Sequence, residues 1–181
     1  MSTLRNIPVN TITGEETTLG AIDAEVLLIV NVASKCGLTP QYEALEELHR
    51  SYADRGLSVC GFPANDFGGQ EPGTNEEIAE FCQTTFDVSF PMFSKIVATG
   101  DDRHPLYSEM IAQQPVPNGN HQAYRERLHG FNIQTTEPPE VLWNFEKFLI
   151  GKDGNVVDRF SPNTKVDDPI VVEAIEAALN A

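Results

Sequence analysis

Val26-Leu27-Leu28-Ile29-Val30-Asn31-Val32-Ala33-Ser34-Lys35-Cys36-Gly37-Leu38-Thr39-Pro40 is the stretch that decides the fold. Its first seven residues are almost wholly aliphatic, the pattern of a strand buried on both faces at the centre of a parallel or mixed sheet. Thr39 reads as a helix cap and Pro40 as the first helical position. Leu45, Leu48 and Tyr52 carry the helix on at helical spacing, and Gly56 is its natural stop. Residues 57–62 read as a second strand. Strand, helix, strand is a βαβ unit, with a right-handed crossover expected.

Working outward, the chain before this unit reads as a small hairpin: Val9–Ile12, a turn at Thr13-Gly14-Glu15, then Thr17–Leu19. After it comes a Gly/Pro-rich loop, 63–73, closed by a capping box in which Thr74 precedes Glu77 by three residues. The helix that follows carries Ile78, Phe81 and Cys82 on one face. A further helix is expected from His104-Pro105 towards Gln113. Residues 115–139 hold few apolar side chains and read as a long surface insertion whose order the sequence leaves open. Strands over 143–150 and 155–160 flank a Lys152-Asp153-Gly154 turn, and a last helix is expected over 169–179 with Asp167 or Asp168 as cap. The expectation is one α/β domain spanning 1–181: a mixed central sheet flanked by helices, with an N-terminal β-hairpin.

The charge balance narrows the partners. Lys and Arg number 12 against 27 Asp and Glu, a formal net charge of −15. Nucleic acid and anionic membranes attract basic surfaces, so neither is an expected partner. The start, Met1 to Pro8, has no signal-peptide core, and the most apolar run is too short to span a bilayer, so no membrane anchor is expected and the cytoplasm is the default compartment. Three widely spaced cysteines, Cys36, Cys60 and Cys82, are not a secreted disulfide framework. No CxxC or paired Cys/His spacing suggests zinc, and no metal or cofactor is called for. His49, His104, His121 and His129 lack ligand spacing and read as surface or structural.

Three segments carry candidate chemistry. Cys36 lies where a buried strand runs out ahead of a helix, the rim where reactive groups gather in open α/β sheets. A helix amino end and the adjacent Lys35 would favour a nucleophilic thiolate. The loop Phe62-Pro63-Ala64-Asn65-Asp66-Phe67-Gly68-Gly69-Gln70-Glu71-Pro72-Gly73 should open on the same rim, where Gln70 offers a donor and an acceptor. Without the Lys of a P-loop, and with Glu71 in the way, it makes a poor phosphate cradle. Trp143-Asn144 places an indole N–H and an amide at the start of a strand. Cys60, between Val59 and Gly61, reads as core.

Together the segments NVASKCGLTPQY, FP-x-N-x-FGGQEPG and WNFEKFL resemble the signature blocks of the glutathione peroxidase family, in the right order and across nearly the whole chain. The likeness is greatest to bacterial, cysteine-containing members. The resemblance implies a thioredoxin fold and a thiol-dependent peroxidase of oxidative-stress defence. Cys36 would attack a hydroperoxide, with Gln70, Trp143 and Asn144 as its partners in a catalytic tetrad. It also implies that Cys82 resolves the Cys36 sulfenic acid and that thioredoxin, or alternatively glutathione, is the reductant. Ala64 departs from many cysteine-type relatives, which carry Cys there. A disulfide needs Cα atoms within ~7 Å, so a Cys82 on a packed helix face would have to leave it. The 115–139 insertion lies where larger relatives carry an assembly loop, which leaves the oligomeric state open. Two other readings stand beside this one. A general disulfide oxidoreductase is disfavoured by the missing CxxC pair. A peroxide-sensing or binding protein of the same fold, without turnover, is disfavoured by the intact Cys/Gln/Trp/Asn set.

Overall fold

The computed structural model describes residues 4–181; the first three residues of the 1–181 domain, and of the start read as lacking a leader, lie outside the described residues. An antiparallel hairpin of β1 (Pro8–Asn10) and β2 (Glu16–Thr18) comes first, pairing Val9 with Thr17. The main sheet contains β3 (Val26–Val32), β4 (Leu57–Pro63), β5 (Lys147–Ile150) and β6 (Val156–Phe160), in spatial order β4-β3-β5-β6. β3 runs parallel to β4 and antiparallel to β5, so the sheet is mixed, as expected. All seven residues of β3 and all seven of β4 are buried, which is what the aliphatic run required of a two-sided central strand.

The helices are α1 (Gln41–Tyr52), α2 (Asn75–Phe86), α3 (Pro105–Gln113), α4 (His121–Gly130) and α5 (Pro169–Leu179). The capping box of α2 is formed in both directions: Glu77 N–H donates to Thr74 Oγ1 and Thr74 N–H donates to Glu77 Oε1. Asp168, not Asp167, caps α5 by accepting from Ile170 N–H at 3.0 Å. His104 caps α3 through Nδ1, which accepts from Leu106 N–H, and His49 Nδ1 accepts from Val59 N–H. Both imidazoles are structural, in line with their lack of ligand spacing. Among the described residues no helix is long and apolar enough to cross a membrane.

Two local expectations are corrected, and a third point that the sequence left open is answered. Thr39 does not cap α1; Pro40 occupies that position with no side-chain bond, because the Thr39 hydroxyl is used elsewhere. The strand expected over 143–150 begins only at Lys147, and Phe145 sits at φ 69°, a left-handed conformation unusual for a bulky residue. The 115–139 insertion contains an ordered helix, α4, which buries Tyr124 and Leu128, one turn apart.

A buried cation explains how that insertion is seated. Arg159 is 1% exposed and pairs with the fully buried Glu146. Its remaining donors reach the carbonyls of Gln114 and Pro115 on one side, and of Pro139 and Glu140 on the other. One guanidinium on the sheet therefore gathers both ends of the insertion. Five N–H donors in a fixed fork make Arg suited to that task.

Candidate active site

Cys36 lies in the turn between β3 and α1, five positions before Gln41. The Thr39 hydroxyl holds this turn: it donates to the Ala33 carbonyl at 2.8 Å and accepts from Cys36 N–H at 3.0 Å. Leu38 N–H donates to Cys36 Sγ at 3.3 Å. The residue that looked like a helix cap thus positions the cysteine instead. The Gln70 loop is tied to the same turn by the bond from Lys35 N–H to the Gln70 carbonyl, 3.0 Å, and is braced internally by Asn65, whose Oδ1 accepts from Glu71 N–H.

Trp143 and Asn144, which lead into the neighbouring strand β5, are held through Asn31, a polar residue buried near the C-terminal end of β3. Asn31 Nδ2 donates to the Trp143 carbonyl at 3.0 Å, and the Asn31 carbonyl accepts from Phe145 N–H at 2.6 Å. These bonds hold the left-handed turn at Phe145, a conformation that costs on the order of 1–3 kcal/mol and persists only where surroundings over-determine it. Gly68 closes the other flank. It has φ 70°, and a Cβ there would stand 3.1 Å from Cη2 of the Trp143 indole. Only glycine fits so near the ring in that conformation.

The result is a cleft of about 460 Å³ lined by Cys36, Gln70 and Trp143. Tyr124, Arg127 and Leu128 of α4, Phe131 and Ile133 just after it in the chain, and Asn163 and Lys165 also line it. Cys36 is 8% exposed, so the sulfur is reached through this cleft rather than from open surface. Asn144 is fully buried and meets the site through Gln70, donating from Nδ2 to Oε1 at 2.9 Å. Four of the five expected site residues are therefore assembled in one place.

Cys82 is elsewhere. It is 2% exposed within α2, and burial pushes its thiol up to about 11, against the pull of the neighbouring Tyr42 hydroxyl. Cys60 is wholly buried in β4, and burial pushes its thiol up to about 12. Lys35 also departs from expectation: it lines a separate cleft with Ser34, Glu71 and Phe81, and its charge acts on Glu71 and Glu77. The cations of the Cys36 cleft are Arg127 and Lys165, which sequence neighbourhood did not reveal. Tyr124 was missed as well. Burial, and then the charge of Cys36, push its hydroxyl up to about 12.

The family model for glutathione peroxidase matches residues 4–111, more than half of the chain. The chain belongs to the glutathione peroxidase family. It is 52% identical over 172 residues to the thioredoxin/glutathione peroxidase BtuE of Escherichia coli, covering 94% of each chain. It is 43% identical over 155 residues to the hydroperoxy fatty acid reductase Gpx2 of Synechocystis, covering 86% of this chain and 85% of that one. The crystal structure of T. cruzi GPX1 superposes with a TM-score of 0.69 at 32% identity, covering 98% of this chain and 97% of that one. The architecture is the thioredoxin fold. This peroxidase therefore takes a hydroperoxide as substrate and a reducing partner to complete its cycle.

Proposed function

We propose that the chain works as a single 1–181 domain in which Cys36 is the peroxidatic residue. The Cys36 thiolate attacks the outer oxygen of a hydroperoxide, the O–O bond breaks, and the alkoxide or hydroxide that leaves takes up a proton. Cysteine sulfenic acid and an alcohol or water are the products. Gln70 and the Trp143 indole N–H donate to the oxygens as charge develops, and Asn144 orients Gln70; such pre-set donors lower a barrier because they need no reorganisation during the reaction. The observation that supports this most is the convergence of Cys36, Gln70 and Trp143 on one cleft from three separate segments. The test is NADPH-coupled turnover of hydrogen peroxide. Cys36→Ser should abolish it, and persistent turnover in that variant would defeat the assignment.

Cys82 is proposed as the resolving residue. Its thiol displaces the hydroxyl of the Cys36 sulfenic acid as water, forming a Cys36–Cys82 disulfide that thioredoxin reduces. Because Cys82 is buried on an intact α2, this step requires local opening of that helix. Peptide mapping after one equivalent of peroxide should find the disulfide; a sulfinic Cys36 beside a free Cys82 would contradict it. Three free cysteines suit the reducing cytosol as the working compartment. A second reading, direct reduction by glutathione, draws support from Arg127 and Lys165, two cations in the same cleft as Cys36, since glutathione carries two carboxylates. Parallel assays with thioredoxin and with glutathione, each coupled to its own reductase, decide between the donors.

A further inference from the structure

The 115–139 insertion contributes Tyr124, Arg127, Leu128, Phe131 and Ile133 to the Cys36 cleft, and Tyr124 is the uncharged polar side chain among them. Tyr124 is 9% exposed, lies on the inward face of α4 with Leu128, and lines the same cleft as Cys36, Gln70 and Trp143. Among the described residues its hydroxyl has no hydrogen-bond partner, and unlike the hydroxyls of Tyr42 and Tyr107, which are buried without a partner among aromatic rings, it is not sealed from solvent. The hydroxyl of a residue that lines the cleft, bonded to no protein group and open to solvent, is free to donate to a partner bound there. The cleft supplies one: the oxygens of a substrate bound above the sulfur.

We propose that Tyr124 is a further hydrogen-bond donor to the reacting oxygens, alongside Gln70 and Trp143. This deepens the peroxidase reading and rests on it. As the Cys36 thiolate takes the outer oxygen, negative charge builds on the leaving oxygen, and the phenolic O–H donates to it until a solvent proton completes the alcohol or water. The hydroxyl keeps its proton throughout the working pH range, because burial and the charge at Cys36 both oppose tyrosinate. It can therefore donate in every turnover. The neighbouring Leu128, Phe131 and Ile133 are apolar and offer contact to the organic part of an alkyl hydroperoxide, beyond the reacting oxygens.

The experiment is stopped-flow oxidation of the full chain by hydrogen peroxide and by cumene hydroperoxide, followed through Trp143, the chain's one tryptophan and itself part of the cleft. Tyr124→Phe keeps the ring and its packing and removes only the hydroxyl. The second-order rate is expected to fall roughly tenfold or more for both peroxides, since a hydrogen bond to a charged group is worth at least that factor. The thermal midpoint and the later disulfide-forming phase are expected to stay at their wild-type values. Unchanged rates for both peroxides overturn the proposal. A loss confined to cumene hydroperoxide also overturns it, because the ring would then serve only as apolar wall. The parent reading fails separately, if Cys36 of the wild-type chain reacts with neither peroxide.

Discussion

The Asn144 side-chain amide donates to the Gln70 amide oxygen at 2.9 Å, and thereby settles which end of Gln70 is free to donate. With Oε1 occupied, Nε2 is the end left for a ligand. Asn144→Asp puts an acceptor against an acceptor, so Gln70 must turn over or swing away. The rate of Cys36 oxidation by hydrogen peroxide is expected to fall about ten- to a hundredfold, or about 1.4–2.8 kcal/mol. Stopped-flow measurement with an unaltered rate would show that Gln70 needs no such orientation.

Resolution by Cys82 is predicted to be limited by the helix that holds it. With its thiol pushed up to about 11 by burial, Cys82 is almost entirely protonated at neutral pH while α2 is closed. Ala79→Gly weakens α2 in its middle by about 1 kcal/mol. That makes opening about fivefold more frequent, so the disulfide should form about fivefold faster after stoichiometric peroxide, with the first oxidation unchanged. Quenched-flow alkylation and peptide mapping read both steps. A disulfide rate equal to the wild type would remove helix opening from the path.

Much of this arrangement was legible beforehand, and for identifiable reasons. Seven successive apolar or buried positions in β3 leave no solvent face, so a central strand was the only economical reading. Thr74 and Glu77 announce α2 because their bonds are local. What failed was non-local. Thr39 has the chemistry of a cap, but the loop it serves has a nearer need, and only the fold shows that its hydroxyl goes to Ala33 and Cys36. Lys35 is adjacent to Cys36 in sequence and turned to another cleft in space, while Arg127 and Lys165 reach the Cys36 cleft from distant segments. Helix α4 has no side-chain cap bond and buries only two residues, too few to mark a periodic apolar face. Gln70, Trp143 and Asn144 were singled out as a set by family resemblance; by themselves each reads as ordinary loop or core.

Lys147 sets a pH dependence. It is fully buried, its ammonium donates to the Pro162 and Thr164 carbonyls, and burial lowers its pKa to about 7 against the pull of Glu146. Between about pH 7 and pH 10 the unfolded chain holds this proton and the folded chain sheds it, so this group makes unfolding free energy rise with pH; below about pH 7 both forms hold it and its contribution is flat. Urea unfolding of wild type and Lys147→Met at pH 7, 8 and 9 should show the wild type gaining on the variant by up to about 1.4 kcal/mol per pH unit. A constant difference would mean that the ammonium stays charged in the fold.

Breaking the Glu146–Arg159 pair should hurt more than deleting it. Arg159→Met leaves Glu146 buried without its partner, at an expected cost of about 3–5 kcal/mol. Replacing both, by Arg159→Met with Glu146→Leu, removes the orphaned charge and is expected to cost less than the single change. Urea titration gives the ranking. Hydrogen exchange should rise over 115–139 in both variants, because the four carbonyls at its two ends lose their donor.

The clasp at Arg159 has an architectural corollary. Since residues 114–115 and 139–140 meet at one side chain of β6, the span between them begins and ends at the same point. Its two ends stay put whatever lies in the middle. The part of the reaction chamber that this span lines is thus anchored separately from the sulfur, the paired amides and the indole, so a change of length between the two anchor points would reshape the entrance to the chamber before it moved those groups.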